Sequence, residues 1–163
     1  MPQLSSHPQA GYSVGGLQAL QAAALDQHNQ VAGVASFAGF TPFRTDDAKK
    51  PTGGLQRYSH WHALLPRLGL FIGNESAVPY DVDELIGAVA PRPMLLYTPQ
   101  NDADATYTDV AAVVANARKG NPNVLNIAPA HGSNSTSEFG REQINSLLSW
   151  LDAVVPSTPP PTV

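Results

Sequence analysis

Three side chains that together can break an acyl bond are widely separated in this chain: Ser13, Asp102 and His131. Ser13 is the centre of residues 11–15, Gly-Tyr-Ser-Val-Gly, which match the G-x-S-x-G nucleophile elbow. Such an elbow is a tight strand-to-helix turn, and small residues two before and two after the serine relieve its crowding. A serine hydroxyl is a weak nucleophile until an imidazole takes its proton, and a carboxylate must orient that imidazole. The three residues therefore predict a catalytic triad.

Each member of this triad also suits an ordinary loop when it is taken alone. A second aspartate, Asp104, competes with Asp102 for the role of the orienting carboxylate. Asp102 is preferred because it lies nearer the end of the preceding predicted strand, whereas Asp104 is placed to cap a helix that begins near Thr106. The triad prediction therefore depends on the chain order Ser, Asp, His and on the position of each residue after a strand.

The elements that must position these residues alternate between helices and strands. Helices are predicted over residues 17–25, 82–89, 106–119 and 138–155, and apolar strands over 31–38, 94–97 and 124–127, the last followed by a loop at 128–132. This alternation is typical of a parallel sheet with helices on both faces, in which active sites gather beyond the carboxyl ends of the strands. The expected fold class is α/β, with a short, mostly parallel sheet flanked by helices.

Two segments fit this pattern less well. Residues 3–10 make a poor strand before the elbow, since Pro8 would delete a ladder hydrogen bond in a central strand; a makeshift strand is the alternative. The connection over 39–80 is long, and its aromatic Trp61 is expected to border the substrate pocket together with Tyr12. Four acidic residues in and after this connection are expected to be solvated charge at the start of a helix: Glu75, Asp81, Asp83 and Glu84.

The composition of the chain sets further limits on its domain organisation and its function. With 163 residues, the chain is predicted to form one domain over 1–155, followed by a disordered Pro-rich tail over 156–163. A net charge of −4 and the lack of a basic cluster argue against nucleic-acid binding, and no apolar run is long enough to span a membrane. His60 and His62 have no acidic or sulfur ligand at short spacing, so no metal site is expected. The first residues lack the basic and apolar regions of a signal peptide, which makes a cytoplasmic location the default expectation.

Several stretches resemble the C-terminal half of an α/β-hydrolase of the dienelactone-hydrolase and acetyl-xylan-esterase-like group. The resemblance covers roughly residues 10–152 and is carried by residues 11–16, 43–46, 52–55, 65–69 and 79–85, by Ala-Pro-Arg-Pro at 90–93, and by His131-Gly132. It implies Ser13 as nucleophile, His131 as base and Asp102 as orienting carboxylate, with the backbone N–H of Val14 as one oxyanion donor. It also implies a small ester substrate and an acyl-enzyme formed without metal or cofactor.

The chain departs from that family before the elbow. The family has several strands there, whereas twelve residues precede Ser13 here, so the expected fold is a partial α/β-hydrolase fold that lacks its N-terminal strands. In the family the second oxyanion donor comes from that half, and losing one donor costs about 10²–10³ in turnover. Weak esterase activity and association into a homo-oligomer are therefore expected. The alternatives are a catalytically crippled fragment that acts as an association module, and a peptidase-like amide hydrolase.

Overall fold

Strands and helices alternate along the described chain. The computed structural model describes residues 6–47, 49–50, 52, 55, 67–120, 127–130 and 139–155. The strands are β1 (His7–Tyr12), β2 (Val31–Phe37), β3 (Met94–Tyr97) and β4 (Ile127–Ala130). The α-helices are α1 (Val14–Ala24), α2 (Val82–Val89), α3 (Tyr107–Gly120) and α4 (Arg141–Val154), and two short 3-10 helices span Leu68–Phe71 and Glu75–Ala77. The predicted alternation is confirmed.

The four strands form one parallel sheet in the order β1-β2-β3-β4, which confirms the predicted parallel sheet. The register aligns the last residues of all four strands, because Tyr12 pairs with Phe37, Phe37 with Tyr97, and Tyr97 with Ala130. Their carboxyl ends therefore form one continuous edge, called here the carboxyl edge. The segments that carry the predicted triad residues all leave the sheet from this edge.

The core lies on both faces of this sheet. Alternate residues of β2 and β3 point to opposite faces of the sheet. Because both faces are buried, the sequences of these strands are nearly continuous apolar runs. One face, which includes Val34 and Leu96, packs in a cluster with α1, α2 and α3. The other face, which includes Phe37 and Leu95, packs against Trp150 of α4. Helices on both faces were predicted, and the structure confirms them.

Strand β1 is present although Pro8 lies within it, so the expectation of a poor strand before the elbow is wrong and its alternative is right. The N–H of His7 donates to Gln30 (3.0 Å) and that of Ser13 to Phe37 (2.9 Å). Because alternate residues of a strand face the same neighbour, the odd-numbered residues of β1 donate toward β2 and the backbone position of Pro8 faces away from it. Proline therefore deletes no bond of the β1–β2 ladder.

Strand β4 lies further along the chain than predicted. Residues 128–130 were expected in a loop, but they belong to the strand, with Met94 paired to Ile127 and Tyr97 to Ala130. The cause of the error is Pro129, which signals a loop in sequence but is tolerated in the outermost strand of a sheet. β4 is outermost among the described strands. Residues 124–126 of the predicted strand lie outside the described residues.

The helices keep their predicted places, with shifted ends. α1 begins at Val14 rather than at residue 17, and α4 begins at Arg141 rather than at 138. Gly120 is the last residue of α3 rather than its cap. Local sequence fixes helix ends within only a few residues. None of the helices in the described ranges has both the length and the apolar character needed to cross a membrane.

Two members of the acidic group expected to be solvated are buried instead. Asp81 caps α2, and its carboxylate accepts the backbone N–H groups of Val82 (2.7 Å), Phe43 (2.8 Å) and Arg44 (3.0 Å). Glu75 is the other buried member. Hydrogen bonds from three backbone N–H groups offset the free-energy cost of burying the Asp81 carboxylate. Through these bonds, Asp81 links the long connection to α2.

Candidate active site

The turn between β1 and α1 holds Ser13 in a conformation that few residues other than glycine adopt, with φ 53° and ψ −129°. Such a conformation costs on the order of 1–3 kcal/mol and persists only where neighbouring contacts over-determine it. Here the Ser13 N–H donates to the carbonyl of Phe37 (2.9 Å), and the Ser13 carbonyl accepts the N–H of Gly16 (2.8 Å). The turn is therefore tied to β2 on one side and to α1 on the other.

Close backbone packing explains the glycines of the turn. A Cβ atom at Gly11 would lie 2.1 Å from the carbonyl oxygen of Gly15. At Gly16 it would lie 2.7 Å from Ser36 Oγ and 2.9 Å from the Cα of Gly39. At Gly15 it would meet nothing within 4 Å. The crowding expected two residues after the serine therefore falls three residues after it, and the motif glycine at 15 has open space.

Val14 is the first residue of α1, so its backbone N–H has no acceptor within the helix. The first turn of α1 contains no acidic side chain that would offset the partial positive charge of the helix N-terminus. This end of the helix adjoins the half-buried Ser13. Together, the amide and the helix end are suited to stabilise negative charge that develops on an oxygen next to the serine.

Asp102 lies in the loop that leaves β3, five residues after Tyr97. Its Oδ1 accepts the backbone N–H of Asp104 (2.8 Å), and its Oδ2 atom is buried. The loop thus holds one carboxylate oxygen of Asp102 and turns the other inward. Asp104 takes part in this arrangement through its backbone N–H. The first turn of α3 is closed separately by the carbonyl of Thr106, which accepts two backbone N–H groups.

His131 and Trp61 lie outside the described residues, and the structure therefore does not test their predicted roles. The segment that contains His131 nevertheless has described residues at both of its ends. It starts after Ala130 at the end of β4 and finishes at Phe139, whose ring centroid lies 5.7 Å from that of Tyr12.

An aromatic cluster lies on the α4 face at the carboxyl edge, and sequence reasoning found only Tyr12 of its four members. It consists of Tyr12, Phe37, Tyr97 and Phe139, and is called here the edge aromatic cluster. Phe37 and Tyr97 are buried, whereas Tyr12 and Phe139 are each 41% exposed. The hydroxyl of Tyr97 accepts a hydrogen bond from Gln143 of α4 (3.2 Å). The sequence signal for Phe139 was weak, because it is one aromatic residue within the helix predicted over 138–155.

Within the described parts of the chain, no three His, Cys, Asp or Glu side chains are grouped closely enough to hold a metal ion. His60 and His62, whose spacing was considered for a metal site, lie outside those parts. Within the described chain, the groups suited to catalysis are therefore those of Ser13, Val14 and Asp102 at the carboxyl edge.

No protein-family model matches the chain, and no curated protein matches it either. Solved structures do match along most of its length. They include a glucuronoyl esterase of carbohydrate esterase family 15 from Caldicellulosiruptor kristjansonii, with a TM-score of 0.68, 21% identity and coverage of 94% of this chain and 44% of that one. The Pyrococcus furiosus esterase Pf2001 has a TM-score of 0.60, 16% identity and coverage of 89% and 53%. Zea mays acyl-protein thioesterase 2 has a TM-score of 0.55, 18% identity and coverage of 94% and 58%.

These structural neighbours are esterases and a thioesterase of the α/β-hydrolase type. At such identities the similarity shows the fold. The chain has a partial α/β-hydrolase fold, which confirms the predicted fold class and the resemblance to α/β-hydrolases at the level of the fold. It spans about half the length of the solved proteins that it matches.

Proposed function

We propose that this protein is a serine hydrolase that cleaves small carboxylic esters, with Ser13 as nucleophile, His131 as general base and Asp102 as the carboxylate that orients the imidazole. The observation that carries the proposal is the strained backbone of Ser13 at the carboxyl edge. Backbone strain of this kind clusters at active sites and persists where the surrounding contacts over-determine it, as they do at Ser13. The position of Asp102 after β3 and the esterase names of the structural neighbours support the same chemistry.

The reaction follows from the roles of these groups. His131 takes the hydroxyl proton of Ser13 as the serine oxygen attacks the ester carbonyl carbon. The carbonyl oxygen becomes negatively charged and accepts a hydrogen bond from the N–H of Val14. The C–O bond to the alcohol breaks, and His131 donates the proton to the leaving alcohol. Water then attacks the acyl-serine with His131 as base, which releases the acid and restores Ser13. The triad supplies both nucleophile and base, so the proposal requires no metal or cofactor.

The exposed part of the site suggests where the substrate lies. Tyr12 is next to Ser13 and exposes part of its ring at the carboxyl edge, so it is placed to contact the acyl or alcohol group. Trp61 belongs to the long connection and is proposed as a second contact. An amide hydrolase would use the same triad, and comparison of ester with anilide substrates separates the two.

The proposal is tested by reaction with a fluorophosphonate probe and by turnover of p-nitrophenyl acetate. We expect the probe to label Ser13, and the Ser13→Ala variant to lose labelling and to turn over the ester at least about 10³-fold more slowly. Ser76→Ala is the matched control, because Ser76 is an exposed serine in a 3-10 helix remote in sequence from the turn. Turnover of p-nitrophenyl acetate without turnover of acetyl p-nitroanilide supports an esterase.

Two results would contradict this function. One is a fully folded wild-type protein that neither reacts with the probe nor hydrolyses the ester above the rate of Ser13→Ala. The other is labelling at a different serine, located by mass spectrometry, with Ser13→Ala unaffected. Faster turnover of the anilide than of the ester would leave Ser13 as the proposed nucleophile but change the proposed substrate from an ester to an amide.

A second candidate function, association with another chain, is favoured by apolar surface on α4. Ile144 and Leu148 are 45% and 53% exposed, and their spacing of four residues places them on one side of α4. Val155, which directly follows the last residue of α4, is 45% exposed. These three residues are called here the α4 stripe. Apolar residues aligned in this way often mark an interface. We propose that the stripe contributes to a homo-oligomer.

We expect size-exclusion chromatography with light scattering to show a concentration-dependent oligomer for the wild type and a monomer for Leu148→Glu. Leu70→Glu is the matched control, because Leu70 is 78% exposed in a 3-10 helix that does not belong to the stripe. The charge is introduced at an exposed position in both variants, so both are expected to fold. A wild-type monomer at every concentration, or equal dissociation by both variants, would refute the proposed interface.

A further inference from the structure

We propose that Phe139 is a positioning residue, whose ring fixes the backbone turn that presents Ser13. This inference rests on the function proposed above. Phe139 lies two residues before α4 begins and is half-exposed at the carboxyl edge. Its ring contacts the two residues on which the backbone of Ser13 depends. No part of the proposed chemistry requires an aromatic ring at this position, so its contacts need another explanation.

The first of these contacts is with Tyr12, which immediately precedes Ser13 in the chain. The two ring centroids lie 5.7 Å apart, with the ring planes at 59°. The second contact is with Phe37, whose ring meets that of Phe139 edge-on at 5.2 Å and 89°. The carbonyl of Phe37 is the acceptor for the Ser13 N–H, at 2.9 Å. One ring therefore contacts both the residue that leads into Ser13 and the residue that holds its amide.

On its α1 side, the turn packs closely against the end of β2 and the residues that follow it. Ser36 Oγ lies 2.7 Å from the position that a Cβ atom of Gly16 would take and 2.1 Å from that of Gly39. This close approach leaves no room for a side chain at either position. The other side of the turn is covered by the edge aromatic cluster, of which Phe139 is the one member that does not belong to a strand. The ring of Phe139 therefore joins the two strand ends next to Ser13 from the segment that leads into α4.

Loss of that ring should let the turn relax. The energies of two aromatic contacts are of the same order as the strain at one residue with positive φ. Without them, a serine with a relaxed backbone and a displaced hydroxyl competes with the strained one. The serine would then reach the attacking position less often, whereas binding of a small ester would change little. A fall in kcat without a matching rise in KM is the signature of such a role.

The activity experiment compares three variants with the wild type on p-nitrophenyl acetate. We expect Phe139→Ala to lower kcat about tenfold, with KM changed less than about twofold, and Phe139→Tyr, which keeps the ring, to stay within about twofold of the wild type. Leu25→Ala is the control for loss of an exposed apolar side chain away from the carboxyl edge, because Leu25 follows the last residue of α1, and it should leave kcat unchanged. Truncation of a half-exposed ring leaves no closed cavity, so Phe139→Ala should fold; its midpoint temperature and circular dichroism verify this.

A second readout does not depend on activity. Amide hydrogen exchange of a peptide that contains Ser13 should be faster in Phe139→Ala by about tenfold and unchanged in Leu25→Ala, because the Ser13 N–H is bonded to Phe37. Unchanged exchange together with unchanged kcat in Phe139→Ala would overturn the inference and leave the proposed function intact. A wild type that is inactive and unlabelled would refute the proposed function, while faster exchange in Phe139→Ala would still establish that Phe139 holds the turn.

Discussion

Replacement of Asp102 by asparagine is expected to lower kcat on p-nitrophenyl acetate by about 10³–10⁴-fold, the size of effect known for asparagine in serine-protease triads. The Oδ1 atom of Asp102 accepts the N–H of Asp104, and an asparagine carbonyl can keep that bond. The buried Oδ2 position would then carry an amide NH₂ group. An NH₂ group donates rather than accepts, so it would favour the wrong tautomer of the proposed base His131. Steady-state kinetics at neutral pH measures the effect.

Asp104→Asn decides between the two aspartates. This substitution retains the backbone N–H that donates to Asp102, and so keeps the loop contact seen in the structure. If Asp102 is the orienting carboxylate, Asp104→Asn should stay within about threefold of the wild-type kcat. The reverse pattern, with Asp104→Asn crippled and Asp102→Asn active, would assign the role to Asp104. Two active variants alongside an inactive Ser13→Ala would mean that neither aspartate orients the base.

The parts of the fold that sequence predicted well are those with strong local signals. The bounds of α2 (Val82–Val89) and β3 (Met94–Tyr97) agree with prediction, because prolines at 91 and 93 separate an amphipathic segment from a short apolar run. β1 and β4 were misjudged for one shared reason: each contains a proline. Whether a proline interrupts a strand depends on which neighbour its missing N–H would face, and that is a property of the sheet rather than of the local sequence.

The chemistry of the candidate site could be predicted from the sequence. The contacts that hold the site in place were harder to predict. Residue types and order pointed to Ser13 and Asp102, and the structure shows a strained turn at the first and a buried oxygen at the second. The close packing at Gly16 and the ring of Phe139 were missed, because both contacts depend on residues distant in sequence. The burial of Asp81 was missed for a similar reason: two of its three backbone donors, at the start of the long connection, lie more than thirty residues earlier in the chain.

The second large effect concerns the fold rather than the chemistry. Arg92, in the Ala-Pro-Arg-Pro stretch before β3, has a side chain that is 18% exposed. Its guanidinium donates to the carbonyl oxygens of Ala23 (2.6 Å), Val89 (3.0 Å) and Val31 (3.4 Å), and lies 3.3 Å from the carboxylate of Asp26. These groups belong to the end of α1, the end of α2, and the start of β2 with the turn before it. One planar cation therefore joins three elements at the edge opposite Ser13.

We expect Arg92→Ala to lower the free energy of unfolding by at least about 3 kcal/mol, because several carbonyl groups lose a charged donor inside the protein. Arg92→Lys should recover part of this loss, since an ammonium group keeps the charge but cannot reach several acceptors in one plane. Urea unfolding followed by circular dichroism measures both. Lys50→Ala is a useful comparison, because Lys50 also forms an ion pair, with Asp109, but bonds fewer groups. A loss for Arg92→Ala no larger than that for Lys50→Ala would contradict the proposed role.

The dependence of this effect on pH provides a separate check. The pKa of Asp26 is lowered from its ordinary value of 3.8, mainly by the hydrogen bond from the N–H of Val31, while burial opposes the shift and Arg92 adds to it. A carboxylate with a lowered pKa in the folded state stabilises the protein above the ordinary pKa, and this contribution is lost as the pH falls through the folded-state value. Asp26→Asn should therefore destabilise the protein at neutral pH and progressively less as the pH falls below 3.8. An equal destabilisation at both extremes would show that the carboxylate charge has no part in joining these elements.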